Sequence, residues 1–414
     1  MTADPVAATP SDAPHPPGAP PYPRVTLRAG QSKRLRRGHP WVYSNEVEMT
    51  PEAKALPPGS VVTVRDAGDE ALATALFNPH SLIALRVLDM HPDAPVTLNL
   101  IAGRLRRALA LRDRLVDGPF SRLVHAEADG LPGLVIDRFG DHCVVQANSA
   151  GMDRLLPVVL AALDAVIGPA GVVIRDDTGG RVLEGLPAEG LRVHGTAPDG
   201  PVPVRQNGVT YRADLTGGQK TGWFYDQRDN HALVARLSRG QTVLDVFSHA
   251  GGFGLACAAA GASRVLCVDS AAPALALAAQ GATESGLADR VETRQGDAFA
   301  TLAALAKEGA RFGVVVCDPP SFVKSRKDLA TGAKGYRKMA RLAAPLVEPG
   351  GLLFAASCSH NMPADRFLSE IVHGLSQAGR NGRVLARTGA APDHPLHPAL
   401  PESDYLKGVL LALD

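Results

Sequence analysis

The sequence predicts an α/β chain in which an open parallel sheet, covered by helices on both faces, follows a small β-rich domain and a small central α+β domain. Three observations carry this. From about Asp229 onward the strand-like runs TVLDVF, RVLCVD, VETRQGD, GVVVCDPP and GLLFAAS alternate with helical segments, as in strands buried between two layers of helices. Nearer the start, VTLRAG, SVVTVRD, ALATALFN and IALRVLD are β-like runs divided by Gly, Pro and Asn, the punctuation of a compact β domain. Between them, several further strand-like runs surround one apolar helical stretch, an α+β arrangement. At 414 residues the chain is long enough for two or three such domains.

Residues 1–22 are rich in Pro and Ala with almost no large apolar side chains, so they are expected to form a disordered tail. Residues 23–98 form the β-rich domain. They carry a basic segment in which Arg28, Lys33, Arg34, Arg36, Arg37 and His39 stand beside Trp41 and Tyr43. Residues 99–200 hold a linking helix, apolar at helical period over 99–118 with Arg between, and then the central α+β domain. Residues 201–414 hold the parallel sheet.

Composition narrows the function classes. The net charge of +1 leaves nucleic-acid affinity to local basic patches. Five cysteines without CxxC pairs argue against a disulfide framework or a zinc site, and no metal is expected. No apolar run reaches the ~20 residues of a membrane span, and no signal-peptide pattern opens the chain. A cytoplasmic protein with no membrane partner is the expectation.

Ligands of parallel sheets bind at the carboxyl ends of strands. The first strand ends at Asp245 and enters VFSHAGGFG, where Gly251, Gly252 and Gly254 permit a tight turn and close approach to a ligand. Phe247, Ser248 and Phe253 belong to the same turn. The second strand ends at Asp269, followed by Ser270, suited to ribose hydroxyls; the third leads to Asp297 and Ala298, suited to an adenine. Singly, each aspartate could equally cap a helix. Acids at three successive strand ends point instead to one nucleoside-bearing cofactor, and SHAGGFG is not the dinucleotide fingerprint G-x-G-x-x-G. The order Asp245, Asp269, Asp297, Asp318 resembles class I S-adenosylmethionine-dependent methyltransferases.

The fourth and fifth strands carry the chemistry. DPPSF, residues 318–322, resembles the element with which amino-methylating enzymes hold a base, which assigns Asp318, Pro319, Pro320 and Phe322 to cofactor and base. Cys358 leaves the fifth strand flanked by Ser357, Ser359 and His360. Carbon 5 of a pyrimidine is a poor nucleophile until a group adds at carbon 6, and a thiolate is suited to that addition. Cys143, Cys257, Cys267 and Cys317 lie inside apolar runs and read as core. Before the sheet, LTGGQKTGWFYDQRDNH (residues 215–231) is dense in glycine, charge and aromatics and reads as a ligand-covering loop. Lys220, Asp226 and Arg228 on it are candidate cofactor contacts.

Taken together, GQKTGWFYDQR, DVFSHAGGFG, DPPSF, SCSH and DHPLHPALPESDYLKG resemble the ribosomal RNA large-subunit methyltransferase I family, whose members make 5-methylcytosine in large-subunit ribosomal RNA. EADGLPGLVIDRFG and SKRLRRGHPWVYSNEV are similar to its central domain and its N-terminal PUA-type RNA-binding domain. The resemblance implies a Rossmann-like catalytic domain, S-adenosylmethionine as cofactor, Cys358 as nucleophile with Asp318 beside it, ribosomal RNA as partner, and a homodimer. RNA contacts then fall to Arg34, Arg37 and Trp41. Sun-type cytosine methyltransferases carry a second cysteine where this chain has Ser321. The rival readings are N-methylation of guanine or adenine through DPPSF, and an inactive RNA-binding assembly factor.

Overall fold

The computed structural model describes residues 22–188, 190–218 and 221–414. All but the last residue of the expected tail lies outside them, as does Lys220. The chain divides into two compact units, Met1–Thr97 and Leu98–Asp414.

In the first unit, β1 (Arg24–Thr26), β2 (Trp41–Tyr43), β3 (Ser60–Arg65), β4 (Ala71–Phe77) and β5 (Ile83–Asp89) form one sheet in the order β1-β3-β4-β5-β2. Strand β2 lies inside the basic segment, where the charges around WVY masked its β character. Val25, Val62, Val64, Phe77 and Leu85 make the core. The short helix Ser32–Arg36 buries only Leu35, so its basic residues project from that core.

The second unit begins with the helix Leu98–Leu115. Strands β6 (Phe120–His125), β7 (Leu134–Phe139), β8 (His142–Ala147), β9 (Gly171–Arg175) and β10 (Leu191–Gly195) then form a sheet in the order β10-β9-β8-β7-β6, in which only β8 and β9 are parallel. The apolar run expected as one helix is two, Ala150–Arg154 and Leu156–Val166. Pro157 lies in the first turn of the second, where its missing N–H costs nothing.

After a hairpin of β11 (Val202–Gln206) and β12 (Val209–Ala213), the strands β13 (Thr242–Val246), β14 (Arg264–Asp269), β15 (Val291–Gln295), β16 (Phe312–Cys317), β17 (Val347–Ser357), β18 (Gly382–Thr388) and β19 (Lys407–Leu413) build a seven-stranded sheet. Its order is β15-β14-β13-β16-β17-β19-β18. The first five strands are parallel, and β19 joins β17 and β18 antiparallel. This is a Rossmann-like α/β sheet with an antiparallel edge.

Side chains alternate across it at the period of two that a strand imposes. Val243, Val265, Cys267, Val314 and Phe354 pack on one face against helices Gly252–Ala259 and Ala272–Glu284. Leu244, Val246, Val315, Cys317 and Leu353 pack on the other against helices Ala298–Lys307, Leu329–Ala343 and Ala364–Gln377. The first of these clusters also takes in Phe120, Phe139, Val204 and Tyr211, so the central sheet, the hairpin and the large sheet share one core. Among the described residues, no helix is long and apolar enough to cross a membrane.

A buried polar hub fastens the segment before β19 to the central sheet. Asp393 accepts the Arg122 backbone N–H at 3.1 Å, pairs with His394 Nδ1 at 2.9 Å and lies 3.6 Å from Arg228. Its carbonyl accepts from Arg112, whose guanidinium also grips Asp129 at 2.6 Å. Burial opposes ionisation of Asp393, but His394, Arg228 and the Arg122 N–H outweigh it and hold the carboxyl below its usual range. Asp393→Ala strands buried Arg228 without its carboxylate and should cost on the order of 3–5 kcal/mol in urea unfolding at pH 7. Because the folded-state pKa is depressed, the deficit relative to wild type should shrink as pH falls below about 4.

Candidate active site

The carboxyl ends of β13, β14, β16 and β17 open into a cavity of about 470 Å³. On its sheet side lie Phe247, Ser248, Gly252, Phe253, Asp269, Ser270, Asp318, Pro319, Pro320, Ser321 and Cys358; Trp223, Phe224, Asp226 and Gln227 come from the loop before the sheet, and His360, Tyr405 and Leu406 from later segments.

The turn after β13 is strained in a way its sequence partly conceals. Phe247 and His249 adopt φ of 65° and 49°, and Gly251 takes 80°, a left-handed region costly for residues other than glycine. Asp269 fixes this turn, since its two carboxylate oxygens accept the backbone N–H of His249 and of Ala271, each at 2.9 Å. Gly254 is required by close approach. A Cβ there would stand 2.4 Å from Cys267 Sγ and 3.2 Å from Asp245 Oδ2.

Asp245 lies beneath the turn, not on the cavity wall. Its Oδ2 accepts the Gly254 N–H at 2.8 Å, while Oδ1, like the buried hydroxyl of Ser248, has no hydrogen-bond partner among the described residues. Burial pushes its carboxyl up to about 7. Asp297 is exposed and caps the helix Ala298–Lys307, accepting the Ala300 N–H at 2.8 Å.

The DPPSF segment leaves β16 beside Cys358. Gln227 donates to Asp318 Oδ2 at 2.8 Å and is itself held by Asn230 at 2.6 Å. Phe322 packs among Phe247, Phe299 and Tyr336, with centroids 6.4, 6.0 and 4.8 Å away. Tyr336 then organises the strand exit: Ser357 donates to its hydroxyl at 2.7 Å, and the same hydroxyl lies 2.7 Å from Ser359 Oγ. Ser359 lies 2.8 Å from Ser321 Oγ. Both neighbours of Cys358 are thereby pinned, and Cys358 alone of the five cysteines is not fully buried.

The loop before the sheet supplies one further carboxylate to the cavity, Asp226. Tyr405 donates to Asp226 Oδ2 at 2.5 Å, and Asp226 Oδ1 is a buried oxygen without a partner among the described residues. Arg228 points away from the cavity, into the Asp393 hub and the Phe120 carbonyl. Tyr405 also stacks on His360, centroids 5.1 Å apart. Tyr405, Leu406, Gln227 and Tyr336 join the expected site residues here. Gln227 is signalled by the density of polar and aromatic residues in FYDQR, and Tyr405 and Leu406 only by their place in DHPLHPALPESDYLKG; nothing local marks Tyr336.

In the first unit, Arg34 donates to Glu46 at 3.0 Å and lies 4.9 Å over the Tyr43 ring, while Arg36 is taken up by Asp66 and Glu70. Arg37 is exposed, and Trp41 is half-buried with Arg86 over its ring at 5.6 Å.

Known proteins match both units. A PUA-like domain model matches residues 25–90, and an S-adenosylmethionine-dependent methyltransferase model matches residues 194–395. The ribosomal RNA large subunit methyltransferase I of Salmonella arizonae is 36% identical over 94% of this chain and 97% of its own. That of Serratia proteamaculans is 34% identical over 93% and 98%. In fold, a Streptococcus mutans protein described as a SAM-dependent methyltransferase superposes with a TM-score of 0.78 at 21% identity, over 94% of this chain and all of that one. A methyltransferase solved with SAH superposes with a TM-score of 0.79 at 20% identity, over the same shares.

Asp245→Asn should raise the thermal stability of the ligand-free protein. A carboxyl whose folded-state pKa is raised from its ordinary value to about 7 weakens the fold progressively between about pH 4 and 7 and by a constant amount above. Melting curves across that range should therefore show the variant's advantage absent near pH 4, growing to pH 7 and level beyond.

Proposed function

The chain belongs to the ribosomal RNA large-subunit methyltransferase I family, and from that premise we propose that this S-adenosylmethionine-dependent enzyme methylates carbon 5 of a cytosine in large-subunit ribosomal RNA, with Cys358 as nucleophile. The observation that supports it best is that Cys358, Asp318 and Asp269 line one cavity. A thiol, a base-holding carboxylate and a ribose-binding carboxylate then serve a single reaction.

The residues present fit the cofactor. A carboxylate oxygen on Asp245 and the Ser248 hydroxyl, both unpartnered among the described residues, lie at the strained turn, which Gly254 lets pack closely on β14 beneath the cavity. Asp269 would take the ribose hydroxyls, Asp297 and Ala298 the adenine edge, and Phe247, Gly251, Phe253, Ser270 and Pro319 would shape the wall. Asp226 belongs to the same proposal through its oxygen that has no partner among the described residues; Arg228 would act only indirectly, through the hub. Bound there, S-adenosylmethionine supplies an electrophilic methyl group on a sulfonium.

The chain's own residues do the rest. The Cys358 thiolate adds to carbon 6 of the cytosine, and electron density gathers at carbon 5. Asp318, oriented by Gln227, holds the amino edge or the protonated ring nitrogen, with Pro320 and Phe322 beside the ring. Once carbon 5 carries the methyl group, loss of its proton restores the double bond and expels the thiolate. Arg34, Arg37 and Trp41 would dock the RNA by phosphate neutralisation and stacking, and the target base would enter from an unpaired segment. Action in the cytoplasm, possession of a homodimer interface and the inner domain boundary near residue 200 belong to this proposal.

RNA containing 5-fluorocytosine should form a covalent complex with the wild type that survives denaturing electrophoresis, and Cys358→Ser should form none and lose about a thousandfold or more in methyl transfer. A Cys358→Ser enzyme with near-normal turnover would shift the assignment to exocyclic-amine methylation. Asp269→Ala should weaken cofactor binding at least about tenfold by calorimetry, since a carboxylate that receives two hydroxyls contributes charge-assisted hydrogen bonds.

A further inference from the structure

Beyond Cys358 itself, the strand exit holds a basic group that the proposed mechanism does not use. Lys407 opens β19 directly opposite Ser357 in the antiparallel pairing with β17. Its ammonium donates to the Ser359 carbonyl at 2.8 Å and to the Tyr405 carbonyl at 2.8 Å. It therefore bridges the turn that carries Cys358 and the segment that carries Tyr405, half-buried between them.

We propose that Lys407 is a positioning residue whose ammonium holds the Cys358 turn in place and stabilises the thiolate form of Cys358. This rests on the reading of Cys358 as the attacking thiol. An ammonium has three donors, and two are spent on the carbonyls of Ser359, next to Cys358 in the chain, and of Tyr405. A positive charge held there favours the thiolate, the form that attacks.

The tyrosines and carboxylates around the thiol do not supply that charge. Tyr336, from helix Leu329–Ala343, and Tyr405 both interact electrostatically with Cys358, and burial pushes both hydroxyls up, so they stay neutral at working pH. Asp318 and Asp226 line the same cavity and Asp404 acts on Lys407, and carboxylates oppose a thiolate. His360 follows in the same turn and stacks on Tyr405. Burial lowers the Lys407 ammonium from its ordinary value, with Asp404 and Cys358 acting in the opposite direction. The attraction between Lys407 and Cys358 favours the ammonium and the thiolate alike, although burial outweighs it on the lysine.

The full-length protein can be tested without RNA, by following iodoacetamide labelling of the Cys358 peptide against pH by mass spectrometry. Burial pushes the other thiols up, Cys143 and Cys257 to about 12 and Cys267 and Cys317 also far above the ordinary value, so labelling reports on Cys358. Lys407→Met should move the half-labelling pH upward by about one unit or more, and Lys407→Arg should return it toward wild type. Lys407→Gln keeps donors without the charge and should behave as the Met variant does. Matching melting curves establish that each variant is folded; should Lys407→Met unfold, the Gln and Arg pair decides. A Gln profile superimposed on wild type overturns the proposal. Failure of the wild type to form the 5-fluorocytosine complex would instead overturn the role of Cys358, whatever the labelling profiles are.

Discussion

Strand order reverses between β13 and β16, and the site follows from that reversal. The chain builds outward from β13 through β14 to β15, then returns to place β16 on the other side of β13. The helix after β13 packs on one face and the helix after β16 on the opposite face. No helix then covers the carboxyl ends of the two central strands, and a crevice is left there. Asp245 closes β13 and Asp318 follows β16. One strand further out, Cys358 follows β17 and reaches the same crevice.

The antiparallel edge completes what the parallel strands begin. β17 is not an exposed edge because β19 pairs with it from Leu352 to Ser357, and that pairing delivers Tyr405 and Lys407 to the thiol. The segment leading into β19 is anchored at a distance by Asp393, whose partners Arg112 and Arg122 belong to the central sheet and its helix. A buried carboxylate among arginines is costly to leave half-paired. The central sheet thus determines where the C-terminal wall of the site stands, although it contributes no side chain to the cavity.

Much of the parallel sheet was legible because its signals are local: an apolar run, a glycine-rich turn or an acid at a strand end is complete within a few residues. Asp245, Asp269, Asp318 and Cys358 could be placed at strand ends on that basis. The antiparallel edge was not legible in the same way. KGVLLAL became β19 through pairing with a strand some fifty residues earlier, and nothing in DYLKG states which side of Cys358 it will border. Tyr336 is likewise an unremarkable residue of an amphipathic helix until Ser357 and Ser359 meet its hydroxyl. Asp245 illustrates the opposite case: its position at a strand end was readable, but its burial beneath the turn depends on Gly254 and the helix that follows.

Ser321 brings these threads to one point. Its hydroxyl shares a hydrogen bond with Ser359 and donates to the Val323 carbonyl at 3.2 Å, which ties the DPPSF segment to the turn carrying Cys358. A second thiol at this position, the arrangement of Sun-type enzymes, would be a reactive group; here the position instead joins two strand exits through Tyr336. In the mechanism proposed, the carbon-5 proton must therefore leave to another group on the wall. Asp318 is held by Gln227 on the cavity wall, and Asp226 has one oxygen held by Tyr405 and the other unpartnered among the described residues. In that mechanism, releasing the cysteine is a task for the wall around it, and both steps draw on residues far apart in sequence, since Lys407 of β19 reaches the strand exit that carries Cys358.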